Sequence, residues 1–248
     1  MKITPLGVGG AFTEKYYHNN YVFDLGSRKL LIDAGTTIRY SIKESEYELN
    51  DITDILITHL HSDHVGGLEE IGQRCKFILN HKPTLWVRED MERELREVIS
   101  KGLETGFDIE DYFNIKTFLV RYGFSIGDYS VKTIKTDNYH AQDMKSFGFK
   151  LVKHGGNNLI FTSDIADIKK AKFDVYIDEN TVAVFHDCSL SQSPVHSSIV
   201  DISEHYEDDL INFYMMHYQD SSATKLIKLA EEYNTNFVKQ NESFELAL

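Results

Sequence analysis

The apolar positions of the chain fall mostly in short runs separated by turn residues. A short strand at the N-terminus leads into a Gly-rich turn, Gly7-Val8-Gly9-Gly10. Tyr21-Val22-Phe23 and Leu30-Leu31-Ile32, with Gly26-Ser27 between them, predict a hairpin. The run from Ile52 to Ile57 is short, apolar and rich in branched residues, which predicts a buried strand. Further strands are predicted at Phe118-Leu119-Val120, Val131–Ile134, Phe147–Val152, Leu159–Phe161, Val182–Phe185 and Phe213–Met215.

Between residues 87 and 104 the period changes. Met91, Leu95, Val98 and Ile99 fall at helical spacing, and Gly102 is placed to close that helix. Residues 103–115 then scatter Phe107, Ile109, Tyr112, Phe113 and Ile115 among acids and glycine. That pattern suits a lid or partner-contact loop, with a surface connection carrying a few buried anchors as the plainer reading. Helices are also predicted after Ser198 and Ser222, where each serine can cap. Strands and helices interspersed in both halves predict a layered α/β domain with sheets inside and helices outside. The 248 residues fit a single domain, residues 1–248, with the lid or dimer-contact segment at about 87–116.

Composition narrows the function. The 42% hydrophobic fraction supports a sizeable core, and no apolar run approaches the ~20 residues of a membrane span. Asp and Glu number 39 against 26 Lys and Arg, a net charge of −13. That balance argues against broad binding to nucleic acid, which favours a basic face. It permits a small anionic substrate wherever bound cations dominate the local charge. Two cysteines, Cys75 and Cys188, make no disulfide framework, and the N-terminus lacks the apolar core of a signal peptide. A cytoplasmic protein is expected.

The chemistry concentrates in Thr58-His59-Leu60-His61-Ser62-Asp63-His64-Val65-Gly66-Gly67, directly after the buried strand and before a predicted helix through Leu68 and Ile71. Imidazoles and a carboxylate are ordinary ligands for zinc and related ions. On an extended segment His59 and His61 face one side, and Asp63 and His64 then turn toward a second position. One short loop can therefore serve two adjacent metals. Four specified residues at fixed spacing are far from a chance histidine cluster.

This segment resembles the HxHxDH signature of the metallo-β-lactamase superfamily, whose fold is an αββα sandwich of two mixed sheets flanked by helices. In that superfamily a histidine, an aspartate and a last histidine follow later strands in order. Here His140 follows the strand near 131–136, Asp164 closes Leu159–Asp164 and His217 closes Phe213–His217. The resemblance implies that His59, His61 and His140 hold one metal, that Asp63, His64 and His217 hold the other, and that Asp164 bridges them. His18, His81, His154 and His205 match no role in it.

Pro194-Val195-His196-Ser197-Ser198, Leu6–Ala11 and Leu31–Gly35 resemble the RNase Z-like branch, in which an extra histidine, here His196, contacts the scissile phosphate. The lactamases commonly place a cysteine where this chain has Asp164, so a β-lactam substrate is not expected. Within the branch the chain is most similar to the phage anti-Pycsar proteins, which destroy cyclic mononucleotide immune signals such as cyclic CMP and cyclic UMP. The size, Pro5–Thr13, the pair Asn19-Asn20 and the His196-Ser197-Ser198 segment carry that similarity.

It implies hydrolysis of 3′,5′-cyclic mononucleotides to 5′-monophosphates, with Asp63 and His196 catalytic and two divalent ions. Those ions are zinc by ligand type, with manganese as the alternative. Ser197 joins the substrate contacts, and Tyr112 and Phe113 are candidates for stacking on a base. The branch also implies a homodimer without stably bound nucleic acid, acting in the host cytoplasm if the chain is viral. RNase Z-type tRNA processing, another small cyclic phosphate, and a binding module that has lost catalysis are the competing readings.

Overall fold

The computed structural model describes residues 1–206 and 210–248. The first sheet contains β1 (Lys2–Pro5), β2 (Tyr21–Asp24), β3 (Lys29–Ile32), β4 (Asp54–Leu56), β5 (Thr84–Arg88), β6 (Asn114–Phe118) and, paired with β1, β14 (Phe244–Glu245). The second runs from β7 (Phe124–Ile126) through β8 (Tyr129–Lys135), β9 (Phe147–Lys153), β10 (Asn158–Phe161), β11 (Thr181–Asp187) and β12 (Phe213–Met216) to β13 (Asn236–Phe237). Each sheet starts as an antiparallel meander and then turns parallel: β3 to β6 in the first, β10 to β13 in the second.

Side chains on a strand alternate faces, and this alternation builds two cores. Tyr21, Phe23, Leu30 and Ile32 point into the sandwich against Phe149, Phe161 and Phe185. Val22, Leu31, Ile55, Leu85 and Val87 point the other way. They meet Ile38 and Ile42 of α1 (Ile38–Glu44), Leu68 and Ile71 of α3 (Leu68–Arg74), and Leu95 and Ile99 of α4 (Glu92–Ile99). On the far side, α5 (Ile168–Ala171), α6 (Ile199–His205) and α7 (Ala223–Glu232) complete the αββα layering. This is the expected fold class.

Several local expectations need correction. The helical stretch is shorter than its pattern, because Thr84–Arg88 pairs as β5 before α4 begins, and Val98 is exposed. The run Phe118-Leu119-Val120 is the end of β6 and a turn, not a strand of its own. Ser198 caps α6 by accepting the Asp201 N–H at 3.1 Å, but Ser222 gives its hydroxyl to the Gln219 carbonyl and caps nothing.

Tyr112 and Phe113 do not stack on a base: both are wholly buried in the core behind the first sheet. Gly72 of α3 lies flat on the Phe113 ring, where an added Cβ would approach to 2.9 Å. The Tyr112 hydroxyl accepts the Glu104 N–H. Among the described residues, no helix is long and apolar enough to cross a membrane.

Candidate functional site

The ends of five strands converge at one rim of the sandwich. β4 runs into Thr58 and His59, and the one-turn helix α2 (Ser62–Val65) then lifts Asp63 and His64 toward the same point. The loop after β8 brings His140, the segment just past β10 brings Asp164, the loop after β11 brings His196, and His217 directly follows β12. Ser163 and His217 take left-handed backbone with φ of 56° and 60°, as does Asp33 with φ of 59°. Such conformations cost about 1–3 kcal/mol each and persist where the surroundings enforce them.

Two groups of ligand atoms meet here: His59, His61 and His140, and beside them Asp63, His64, Asp164 and His217. His61 Nδ1 lies 3.2 Å from His59 Nε2 and 2.9 Å from His140 Nε2. In a tetrahedral zinc site with Zn–N of 2.0–2.1 Å, ligand nitrogens stand about 3.3 Å apart. Asp164 Oδ2 lies between the groups, 3.3 Å from His217, 3.4 Å from His64, 3.6 Å from His140 and 3.9 Å from His59. Asp63 Oδ2 lies 3.3 Å from His217 and 3.4 Å from His64.

Neighbouring groups assign the tautomers. His59 Nδ1 faces Thr58 Oγ1 at 3.2 Å, His140 Nδ1 donates to the Val195 carbonyl at 2.6 Å, and His64 Nδ1 donates to Asp33 Oδ2 at 2.7 Å. Each therefore commits Nδ1 outward and presents Nε2 to the cluster. His64 Nε2 and Asp164 Oδ1 are buried with no hydrogen-bond partner among the described residues.

The electrostatics point the same way. Burial, with neighbouring rings, holds His59 and His61 below the ordinary histidine range, so both are neutral. Burial opposes the charged forms of Asp63 and Asp164, yet the surrounding imidazoles hold both carboxyls well below their usual range. Burial also opposes a charged His64, yet Asp164, Asp33 and Asp63 drive it strongly upward. Buried anionic carboxylates among converging lone pairs demand positive charge at this point, and divalent cations fit the set.

On the open side, His196 Nδ1 donates to Asp187 Oδ2 at 2.9 Å. Burial disfavours its charged form, but Asp187 outweighs this and, with Asp164 and Asp63, pushes the ring up to about 9. Ser197, expected beside the substrate, is buried instead and donates to the Ile165 carbonyl at 2.6 Å, pinning the loop. His81, His154 and His205 lie outside the cluster, against Ile52, Ser130 and Asp174.

Two participants went unread in the sequence. Asp33 accepts from Thr58 N at 2.8 Å, Thr58 Oγ1 at 2.8 Å and His64. Asp187 accepts from Ile165 N at 3.0 Å and from His196, and its other oxygen lies 3.6 Å from His217 Nδ1. Both close apolar strands, the same signal that marked Asp164.

Known proteins agree with this architecture. The chain is 29% identical over 246 residues to the Anti-Pycsar protein Apyc1 of Bacillus phage 010DV004, covering 89% of this chain and 90% of the relative. It is 25% identical over 252 residues to the Anti-Pycsar protein Apyc1 of Paenibacillus sp. (strain J14), covering 99% of each. The metallo-β-lactamase fold protein YhfI from Bacillus subtilis superposes with a TM-score of 0.77 at 16% identity over 98% of each chain, which speaks for the fold alone. The family profile described as Anti-Pycsar protein Apyc1 matches residues 1–244, and the chain belongs to that family.

Proposed function

We propose that the protein is a metal-dependent phosphodiesterase that opens 3′,5′-cyclic mononucleotides, such as cyclic CMP and cyclic UMP, to 5′-monophosphates, and so counteracts Pycsar signalling. One observation carries this reading. Seven ligand side chains converge as two sets around a shared carboxylate, with a histidine tethered to Asp187 on their open side. His59, His61 and His140 would hold one cation, Asp63, His64 and His217 the other, and Asp164 both. Zinc suits this donor set best, with manganese next. When bound, a cation pair supplies an activated water and offsets the charge on phosphoryl oxygens.

The chain's own residues do the rest. Asp63 is held anionic and can orient water or take its proton. His196, with Nδ1 fixed on Asp187, keeps Nε2 free to protonate the departing 3′-oxygen as the P–O3′ bond breaks. The phosphate then stays on the 5′ carbon. The family membership and the names of its members support action against Pycsar, and the cyclic-nucleotide substrate is what the resemblance of the sequence implies.

The test is incubation with cyclic CMP, cyclic UMP, cyclic AMP and cyclic GMP, with and without chelator. Precursor tRNA and a His59→Ala/His61→Ala variant run in parallel. Chelator-sensitive release of 5′-monophosphates is expected, and His196→Ala should slow it about 10²–10⁴-fold. Cleavage of tRNA alone would transfer the protein to the RNase Z reading, and inactivity on every cyclic nucleotide with metal bound would end this one.

A further inference from the structure

We propose that the cavity beside His140 and His196 is a nucleobase site, in which Tyr139 stacks on the base and Gln142 and Gln192 read its edge. The inference rests on the phosphodiesterase reading above and names where that substrate's base goes. The cavity holds about 510 Å³, within the roughly 300–1,000 Å³ of small-molecule sites. Tyr139, Gln142 and Gln192 line it together with His140 and His196.

Its walls are the segments that follow β8, β10 and β11, including residues of α5 and α6, and each of these segments also delivers one residue of the cluster: His140, Asp164 and His196. Hydrogen bonds brace the loops against one another. The Tyr139 carbonyl accepts from Ala166 N at 2.8 Å and Asp167 N at 3.0 Å. His140 Nδ1 reaches the Val195 carbonyl, and Ser197 Oγ reaches the Ile165 carbonyl. A base in the cavity is thereby held in fixed register with a phosphate at the cluster, which is what positioning requires.

The lining chemistry selects the ligand. Tyr139 is half-buried and packed on the sandwich core, so its ring is a fixed aromatic surface, and stacking tolerates any base. Gln142 and Gln192 are exposed and form no side-chain hydrogen bond among the described residues. A glutamine amide carries both donors and an acceptor and can turn over. It therefore answers cytosine, with its amino donor, and uracil, with its carbonyl acceptor. Among the described residues Lys169 is the one lysine or arginine in the lining, which also carries His140, His196 and His205 and the acids Asp167 and Asp201. A polynucleotide backbone would need many basic contacts, so the lining favours a mononucleotide.

The experiment compares metal-loaded wild type, Tyr139→Ala, Tyr139→Phe and Gln142→Ala/Gln192→Ala on cyclic CMP, cyclic UMP and bis(4-nitrophenyl) phosphate. Tyr139→Ala should raise KM for both nucleotides about tenfold or more with a much smaller change in kcat. Tyr139→Phe should restore KM to within about twofold of wild type. The glutamine pair should raise KM for both nucleotides as well. Wild-type KM in Tyr139→Ala, at equal metal content and melting temperature, overturns the base site while leaving the phosphodiesterase reading intact. If wild type cleaves the aryl diester but no cyclic nucleotide, the substrate reading has failed separately. Calorimetric binding of 5′-CMP then decides the base site: Tyr139-dependent affinity supports it, and absent or Tyr139-independent binding overturns it.

Discussion

Asp33→Asn tests whether a residue that would touch neither metal nor substrate governs metal binding. The Asp33 side chain is wholly buried and accepts three hydrogen bonds: Thr58 N–H on one oxygen, and Thr58 Oγ1 and His64 Nδ1 on the other. A carboxylate can accept all three, whereas an amide has one accepting oxygen and one donating nitrogen. If the amide oxygen keeps the Thr58 N–H, its NH2 faces His64 Nδ1. The imidazole must then move its proton to Nε2, which removes the lone pair a metal needs. Losing such an orienting contact costs about 10–100-fold in metal affinity. If instead the oxygen faces His64, two N–H donors confront each other in a buried site, at about 1–3 kcal/mol. For a chain of this size that lowers the melting temperature by about 2–4 °C per kcal/mol. Competition against a chelator gives the affinity, and apo-protein melting gives the stability. At least one must move. An Asp33→Asn protein with wild-type metal affinity and a melting temperature within about 1 °C of wild type would refute the tautomer argument.

Three further outcomes are expected. Asp164→Ala removes the oxygen that lies 3.3–3.9 Å from four imidazole nitrogens, so both cations should be lost or scrambled on dialysis. Full metal content by plasma emission with full activity would break the two-metal assignment. His186 is fully buried and held neutral, its pKa lowered to about 4 from 6.5. The unfolded chain therefore binds the extra proton first, and stability falls as pH drops from 6.5 to 4, by about 3 kcal/mol in all. The melting-temperature loss across that window should be smaller in His186→Phe, and equal losses would reject the assignment. At Gly35 an added Cβ would collide with the Asp63 carbonyl and approach His18 Nδ1 to 2.8 Å. Gly35→Ala should therefore cost about 1–3 kcal/mol and weaken metal binding, and a variant with wild-type melting and metal content would contradict this packing.

The fold and the cluster residues were legible because their signals are local. His59 through His64 sit within one turn of chain, and the strands that carry Asp164 and His217 are short branched or aromatic runs. The second core was misread for an equally local reason. Acids around Tyr112 and Phe113 resemble a solvated loop, yet Ile109, Tyr112 and Phe113 stand at i, i+3 and i+4, the spacing of one buried helical face. Asp108 and Asp111 each accept the other's backbone N–H and close that turn, so the acids are its caps. β14 was invisible in another way. Its two residues pair with Lys2 and Ile3 across the length of the chain, and nothing in Phe244-Glu245 announces a strand.

Asp33 and Asp187 lie between these cases, and they show what rule was missing. Asp33 directly follows β3, Ser163-Asp164 follows β10 after Thr162, Asp187 ends β11 and His217 directly follows β12, each a buried polar residue after an apolar run. Burial without a partner is costly for any such group, so every one of them must find company at its strand end. Because β10, β11 and β12 run parallel as neighbours, their ends share one rim, and Asp164, Asp187 and His217 must meet there. Once Asp164 and His217 are assigned to the rim, parallel pairing alone brings Asp187 to the same place. The polar residue that closes a buried strand is thus evidence of a site even without a motif, provided the strand's neighbours are known to run alongside it.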